Sequence, residues 1–132
     1  MEAPQESHPQ RLSNRKPDAV QAIAIMTLVN GILNIIWALI LTVSVVFGTF
    51  LLGLVCVPLT LIPAVLGIFE ILYAIKLMAT PPQPVKPNQT LAILEIVAII
   101  FGNVISLIVG ILALVFYNQP DVRAYFADIN AP

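Results

Sequence analysis

Long apolar runs separated by short polar islands set the layout of this chain. From Ala19 to Ala79 only Glu70 and Lys76 carry charge. That run of about 60 residues far exceeds the roughly 20 that cross a bilayer once, so it folds back on itself. Gly48-Thr49, near its middle, is the expected turn. Each arm of about 28 residues would reach roughly 40 Å as a helix, more than a hydrocarbon core requires. The arms are therefore tilted, or part of Phe47 to Thr60 lies flat or re-entrant. Pro58 and Pro63 each remove a backbone donor and favour the second arrangement or a kink.

The polar islands divide the rest. Residues 1–18 carry Pro4, Pro9 and Pro17 among polar side chains, and are expected to form a disordered tail because they hold too little apolar surface to offset ordering. Thr80 to Gln89 contains four prolines and predicts an extended link. Leu91 to Tyr117 predicts a third continuous span. Asn118-Gln119-Pro120-Asp121 opens a short helix whose Val122, Tyr125 and Phe126 share one face, with Tyr117 and Tyr125 expected at headgroup level. The fold predicted is an all-α integral membrane bundle with a transmembrane domain over 19–117. Its three spans cover about 20–47, 50–79 and 90–117, joined by the 80–89 link and followed by an interfacial segment over 118–132. Four spans are the main alternative.

Basic residues orient the spans. Arg11, Arg15, Lys16, Lys76 and Lys86 lie before or between the spans, and only Arg123 follows the third. That bias predicts a cytoplasmic N-terminus and link, with the C-terminus outside. The first span is too long for a signal-peptide core and lacks a small-residue cleavage site, so it is expected to remain as an anchor. The outline is similar to that of many small prokaryotic multi-pass proteins, which implies a cytoplasmic membrane.

Composition agrees and narrows the chemistry. Of 132 residues, 59% are hydrophobic and 10% charged, with a formal net charge of −1. An average domain carries about a quarter charged residues, and no basic surface exists here to hold nucleic acid. One cysteine, Cys56, and one histidine, His8, exclude an internal disulfide and most metal or acid–base schemes. No phosphate loop or nucleophile constellation is present, and no cofactor or enzymatic activity is expected.

A word recurs along the spans. Gly31-Ile32-Leu33-Asn34-Ile35-Ile36-Trp37-Ala38 parallels Gly67-Ile68-Phe69-Glu70-Ile71-Leu72-Tyr73-Ala74, with a shorter echo in Ala92-Ile93-Leu94-Glu95-Ile96. Duplication and shared composition explain it equally well. At about 100° per residue, Asn30, Gly31 and Asn34 fall on one face of the first span, and Gly67 and Glu70 on one face of the second. Ala98, Gly102, Ser106 and Gly110 form an i, i+4 row in the third, with Glu95 on that side. Small residues let helices approach closely, and polar groups collect where they avoid lipid. The expected polar cluster is Asn30, Asn34, Glu70, Glu95 and Asn103. The expected packing residues are Gly31, Gly67, Ala98, Gly102, Ser106 and Gly110.

Glu70 and Glu95 need a reason, since an acidic side chain at a helix centre costs roughly 2.5–3.5 kcal/mol to insert. Glu70, about 13 Å deep, is expected to be protonated and to act as hydrogen-bonded glue with Asn30 or Asn34; alternatively one or both carboxylates bind a cation or relay protons, or they pair with basic residues on a partner. Glu95, about 8 Å deep, is expected to reach the headgroups unaided. Trp37 is expected in the helix interface and Lys76 at the inner interface, pointing away from Glu70. These features predict an accessory or assembly subunit held in the lipid bilayer with other membrane subunits, or a homo-oligomer. The alternative is a small transporter or ion- or proton-conducting oligomer using Glu70.

Overall fold

The computed structural model describes residues 15–132, so most of the expected N-terminal tail, including His8 and Arg11, lies outside the described residues. These residues are helical, with no strand among them. Helix α1 covers Asp18–Gly48, opening on Pro17 with Asp18 at the positive end of its dipole. The chain reverses over Thr49 to Leu51, where Phe50 and Leu51 adopt left-handed backbone with φ of 51° and 71°. Such a conformation costs a non-glycine residue roughly 1–2 kcal/mol. Thr49 clamps the turn: its Oγ1 donates to the Val45 carbonyl at 2.6 Å and accepts from the Gly53 N–H at 2.7 Å.

A 3-10 turn, Leu52–Cys56, and a single α-turn, α2 (Val57–Thr60), lead into α3 (Ile62–Met78), with Pro63 in its first turn. Prolines therefore stand where a helix start tolerates them, and the return arm is segmented. Asp18–Gly48 and the run Leu52–Met78 are each long and apolar enough to cross a membrane.

The third span departs from expectation. In place of one helix over 91–117 the chain forms a hairpin: α4 (Gln89–Val97), a 3-10 turn over Ala98–Phe101, and α5 (Val104–Tyr117). Gly110 of α5 lies against Ala92 and Glu95 of α4, so the two arms run back along each other. The cause is local. Gly102 takes φ +77°, a conformation that a side chain disfavours, and ends the first arm. Asn103 starts the second by accepting the Ser106 N–H at 3.1 Å, as Asn88 starts the first by accepting the Leu91 N–H at 3.0 Å. Trp37 braces the tip, its indole donating to the freed Phe101 carbonyl at 2.9 Å. Ala98 and Gly102 consequently do not continue a row with Ser106 and Gly110.

Helix α6 (Pro120–Ile129) turns away from α5 by 77°. Counted with α5 as one bent span, it would make a third crossing segment. Its Val122, Tyr125 and Phe126 are buried in a core shared with Val20 and Ile23 of α1, Leu77 of α3 and Leu91 of α4. Asn130 Nδ2 donates to the Val85 carbonyl of the link at 2.8 Å, and Lys16 Nζ to the Leu77 carbonyl at 2.5 Å. Partial burial lowers the Lys16 ammonium from its ordinary range.

These contacts gather the start of α1, the end of α3, the link and the C-terminal helix at one end of the molecule. The C-terminal helix and the link therefore pack together, because the hairpin returns the chain to the end it left. Tyr117 and Tyr125 are buried rather than presented on the surface. The opposite end carries no charged side chain between Leu39 and Phe69. Its turn exposes Phe50, Leu52 and Val55 at 91, 81 and 87%.

Candidate functional site

Two helix crossings build the site. Gly31 of α1 and Gly67 of α3 face each other so closely that a Cβ at Gly67 would stand 2.4 Å from the Gly31 carbonyl oxygen. At Gly31 an added Cβ would meet the Gly67 carbonyl oxygen at 2.7 Å, Ile71 Cγ1 at 2.9 Å and Glu70 Cβ at 3.0 Å. At Gly110 of α5 it would meet the Ala92 carbonyl oxygen at 2.5 Å, Ile96 Cγ1 at 2.9 Å and Glu95 Cβ at 3.0 Å. The same three atom types recur in the same register, so α3 with α1 and α4 with α5 use one crossing motif. The repeated word marks that motif: its small residue is the crossing point, and the residue three positions on enters the space between the helix pairs.

Those polar residues meet there. Asn30, Asn34, Glu70, Glu95 and Ser106 are almost wholly buried, and Asn103 is 6% exposed. Asn30 Nδ2 donates to Glu70 Oε1 at 3.1 Å, and Asn34 Nδ2 reaches both Glu70 oxygens at 3.0 Å. Ser106 Oγ lies 3.1 Å from Asn30 Oδ1 and 3.0 Å from Asn34 Oδ1, and Asn103 Nδ2 donates to Asn34 Oδ1. The direction of this network follows from the backbone. Because Asn103 Oδ1 accepts the Ser106 N–H, the other end of that amide must donate. Asn34 must then receive through Oδ1 and donate through Nδ2. The chain from the α5 N-terminus ends on the Glu70 carboxyl.

Glu95 occupies the same space on different terms. It faces the same buried space, since Gly110 of α5 packs against Glu95 Cβ and Ser106, one turn earlier, reaches the asparagines that hold Glu70. Among the described residues Glu95 Oε2 is the one buried side-chain oxygen or nitrogen without a partner. At 1% exposure it does not reach the surface, contrary to the sequence expectation. The link joins α3 and α4 at the same end of the molecule, so both carboxyls sit a similar distance in and converge.

Of the other expected packing residues, Ala98 is buried in the 3-10 turn, whereas Gly102 serves the hairpin turn. Lys76 is exposed and Cys56 is an exposed free thiol. One feature escaped the sequence reading. Tyr117 Oη donates to Tyr73 Oη at 3.0 Å, and Tyr73 Oη donates to the Lys86 carbonyl at 3.1 Å, tying α5 and α3 to the link. The aromatic at the seventh position of the second word was its only sequence signal. No group of three or more His, Cys, Asp or Glu side chains able to hold a metal ion occurs among the described residues. No family model matches the chain, and neither does a curated protein or a solved structure.

Proposed function

We propose that this is a small multi-pass integral membrane protein that handles protons or small cations at the Glu70–Glu95 site. The burial of two carboxyls in one polar cluster inside a largely apolar bundle carries the reading. Intramembrane acids are expensive, and a pair brought together by a helix-breaking hairpin is a costly arrangement for glue alone. Broken helices that place polar backbone and side chains deep in a bundle are a recurrent means of building ion sites in membranes. In this reading α1 and the α2–α3 arm cross the bilayer, while α4 and α5 dip in and return. The polar end, with Arg15, Lys16, Lys76, Lys86 and Arg123, faces the cytoplasm by its positive charge. A prokaryotic cytoplasmic membrane remains the proposed location.

The layout has a direct check. A thiol-reactive polar reagent added from one side should label Val85→Cys and Ala131→Cys together in a Cys56→Ala background. Native Cys56 should be reached from the other side. Labelling of Val85→Cys and Ala131→Cys from opposite sides would sink the hairpin topology.

For function, the purified chain is placed in liposomes under an imposed proton or Na⁺ gradient. The expected result is a flux above that of empty liposomes, lowered at least about tenfold by Glu95→Gln, an effect of roughly 1.4 kcal/mol or more on the rate-limiting step. Wild-type flux equal to the empty control under both gradients removes this reading.

A second reading, an accessory or assembly subunit, draws on the uncharged far end and its exposed Phe50, Leu52 and Val55. Large exposed apolar residues at a chain reversal suit a partner's transmembrane surface. The small-residue faces that first suggested assembly are consumed inside one chain. Gentle extraction that yields a defined heteromeric complex, from a chain inert in liposomes, would favour this alternative.

A further inference from the structure

We propose that the Glu70–Glu95 pair is a binding site for one proton, carried by Glu95 and donated to Glu70, and that the ion this protein handles is the proton rather than a metal cation. The naming of the ion rests on the functional reading above; the assignment of the proton does not.

Donors and acceptors place the proton. Glu70 receives three amide contacts from Asn30 and Asn34, and the N–H of Ser106 fixes the Asn34 contacts in that sense. Glu70 is therefore an acceptor and has no need of a proton of its own. Glu95 stands beside it with an oxygen that no donor reaches. Two buried carboxyls that share one space bond to each other only if a proton lies between them. With Glu70 committed as acceptor, that proton belongs to Glu95. Charge leads to the same result: two buried carboxylates side by side would repel without any cation to offset them. The other titratable groups nearby are Tyr73 of α3 and Tyr117 of α5, which donate along their own chain to the link. From α1 the facing groups are the neutral Asn30 and Asn34. No lysine or arginine among the described residues makes an ion pair with either acid.

A metal cation fits this site poorly. Hard cations take six or more oxygen ligands with free lone pairs. Here the Asn34 carbonyl oxygen already receives Asn103 and shares the Ser106 hydroxyl with Asn30, and amide N–H groups, not oxygens, point at Glu70. What remains is Glu95, enough for a proton.

The test counts protons directly. The chain has four glutamates, Glu2, Glu6, Glu70 and Glu95. Glutamate carrying a ¹³C-labelled carboxyl group is incorporated into the full chain in lipid at neutral pH. Carbon NMR should show one protonated carboxyl and three carboxylates. Infrared spectra should show the matching protonated carbonyl band, absent in Glu95→Gln and shifted but present in Glu70→Gln. Added Na⁺ should leave it unchanged. Four carboxylates in the wild type overturn the proposal without recourse to any variant. So does a band lost in Glu70→Gln but kept in Glu95→Gln, or one abolished by Na⁺. Flux measurements separate the two claims: Na⁺ flux without proton flux overturns the choice of ion and leaves the transport reading. An intact band with no flux of either kind overturns the transport reading and leaves the proton assignment.

Discussion

Gly67→Ala is expected to destabilise the protein by about 2 kcal/mol, lowering the melting temperature in detergent by roughly 10 °C. The sign runs against helix propensity, which favours alanine over glycine inside a helix by about 1 kcal/mol. Packing wins because the new Cβ would sit 2.4 Å from the Gly31 carbonyl oxygen, with Asn34 Cβ and Ile35 Cγ1 at 3.1 Å. That oxygen belongs to the middle of α1 and cannot rotate away as a side-chain end would. The helices must part by several tenths of an ångström, and the separation also draws Asn34 from Glu70. Gly48→Ala provides the control. A Cβ added there would meet no other atom within 4 Å, so propensity alone should act and the melting temperature should hold or rise. Equal behaviour of the two variants would discard the idea that close backbone approach holds α1 to α3.

The second large effect separates two acids that look alike in composition. Glu70→Leu should cost about 3 kcal/mol, because it strands the Asn30 and Asn34 amide donors in an apolar interior. Glu95→Leu should cost less, about 1 kcal/mol, because the lost hydrogen bond to Glu70 is offset in part by an acid leaving the interior, and Glu70 keeps its amide donors. Denaturation of the reconstituted variants measures both. If Glu95→Leu proves as damaging as Glu70→Leu, the directed network described above is wrong. In a bilayer the measured values run toward the low end, since the unfolded chain also finds partners there.

How much of this was legible beforehand depended on whether the helical period ran unbroken. Along α1 and α3 it does, and the wheel placed Asn30, Gly31, Asn34, Gly67 and Glu70 on faces that the structure brings together. Across 91–117 it does not. Ile99, Ile100 and Phe101 keep the run apolar through the break, so hydropathy carried the wheel past it and set Gly102 in a row it does not occupy. The stop and restart signal was present in Gly102-Asn103, a residue suited to a left-handed end followed by a helix cap. Its meaning depended on whether 27 apolar residues made one crossing or two half-crossings. From that one difference follow the contact of the C-terminal helix with the link and the burial of Glu95 within the bundle. The clasp between Asn130 and Val85 joins residues 45 apart through an amide and a main-chain carbonyl, and no local pattern announces such a bond. Tyr117 is a different case, since Phe126 of α6 packs against its ring.

The charge-free reversal between α1 and α3 also bears on how such a chain enters a bilayer. A ribosome delivers it from one side, and the stretch from Leu39 to Phe69 has neither ammonium nor carboxylate to drag through hydrocarbon. Each such group would add roughly 2.5–3.5 kcal/mol at the midplane. In the proposed topology both arms would slide in tip first as a preformed pair, while Arg15, Lys16 and Lys76 would stay in the water they were made in. So would Lys86 and Arg123, if the second hairpin enters and returns on that same side as proposed. Insertion is then a matter of depth alone, with no positive charge anywhere on the path that must be carried across.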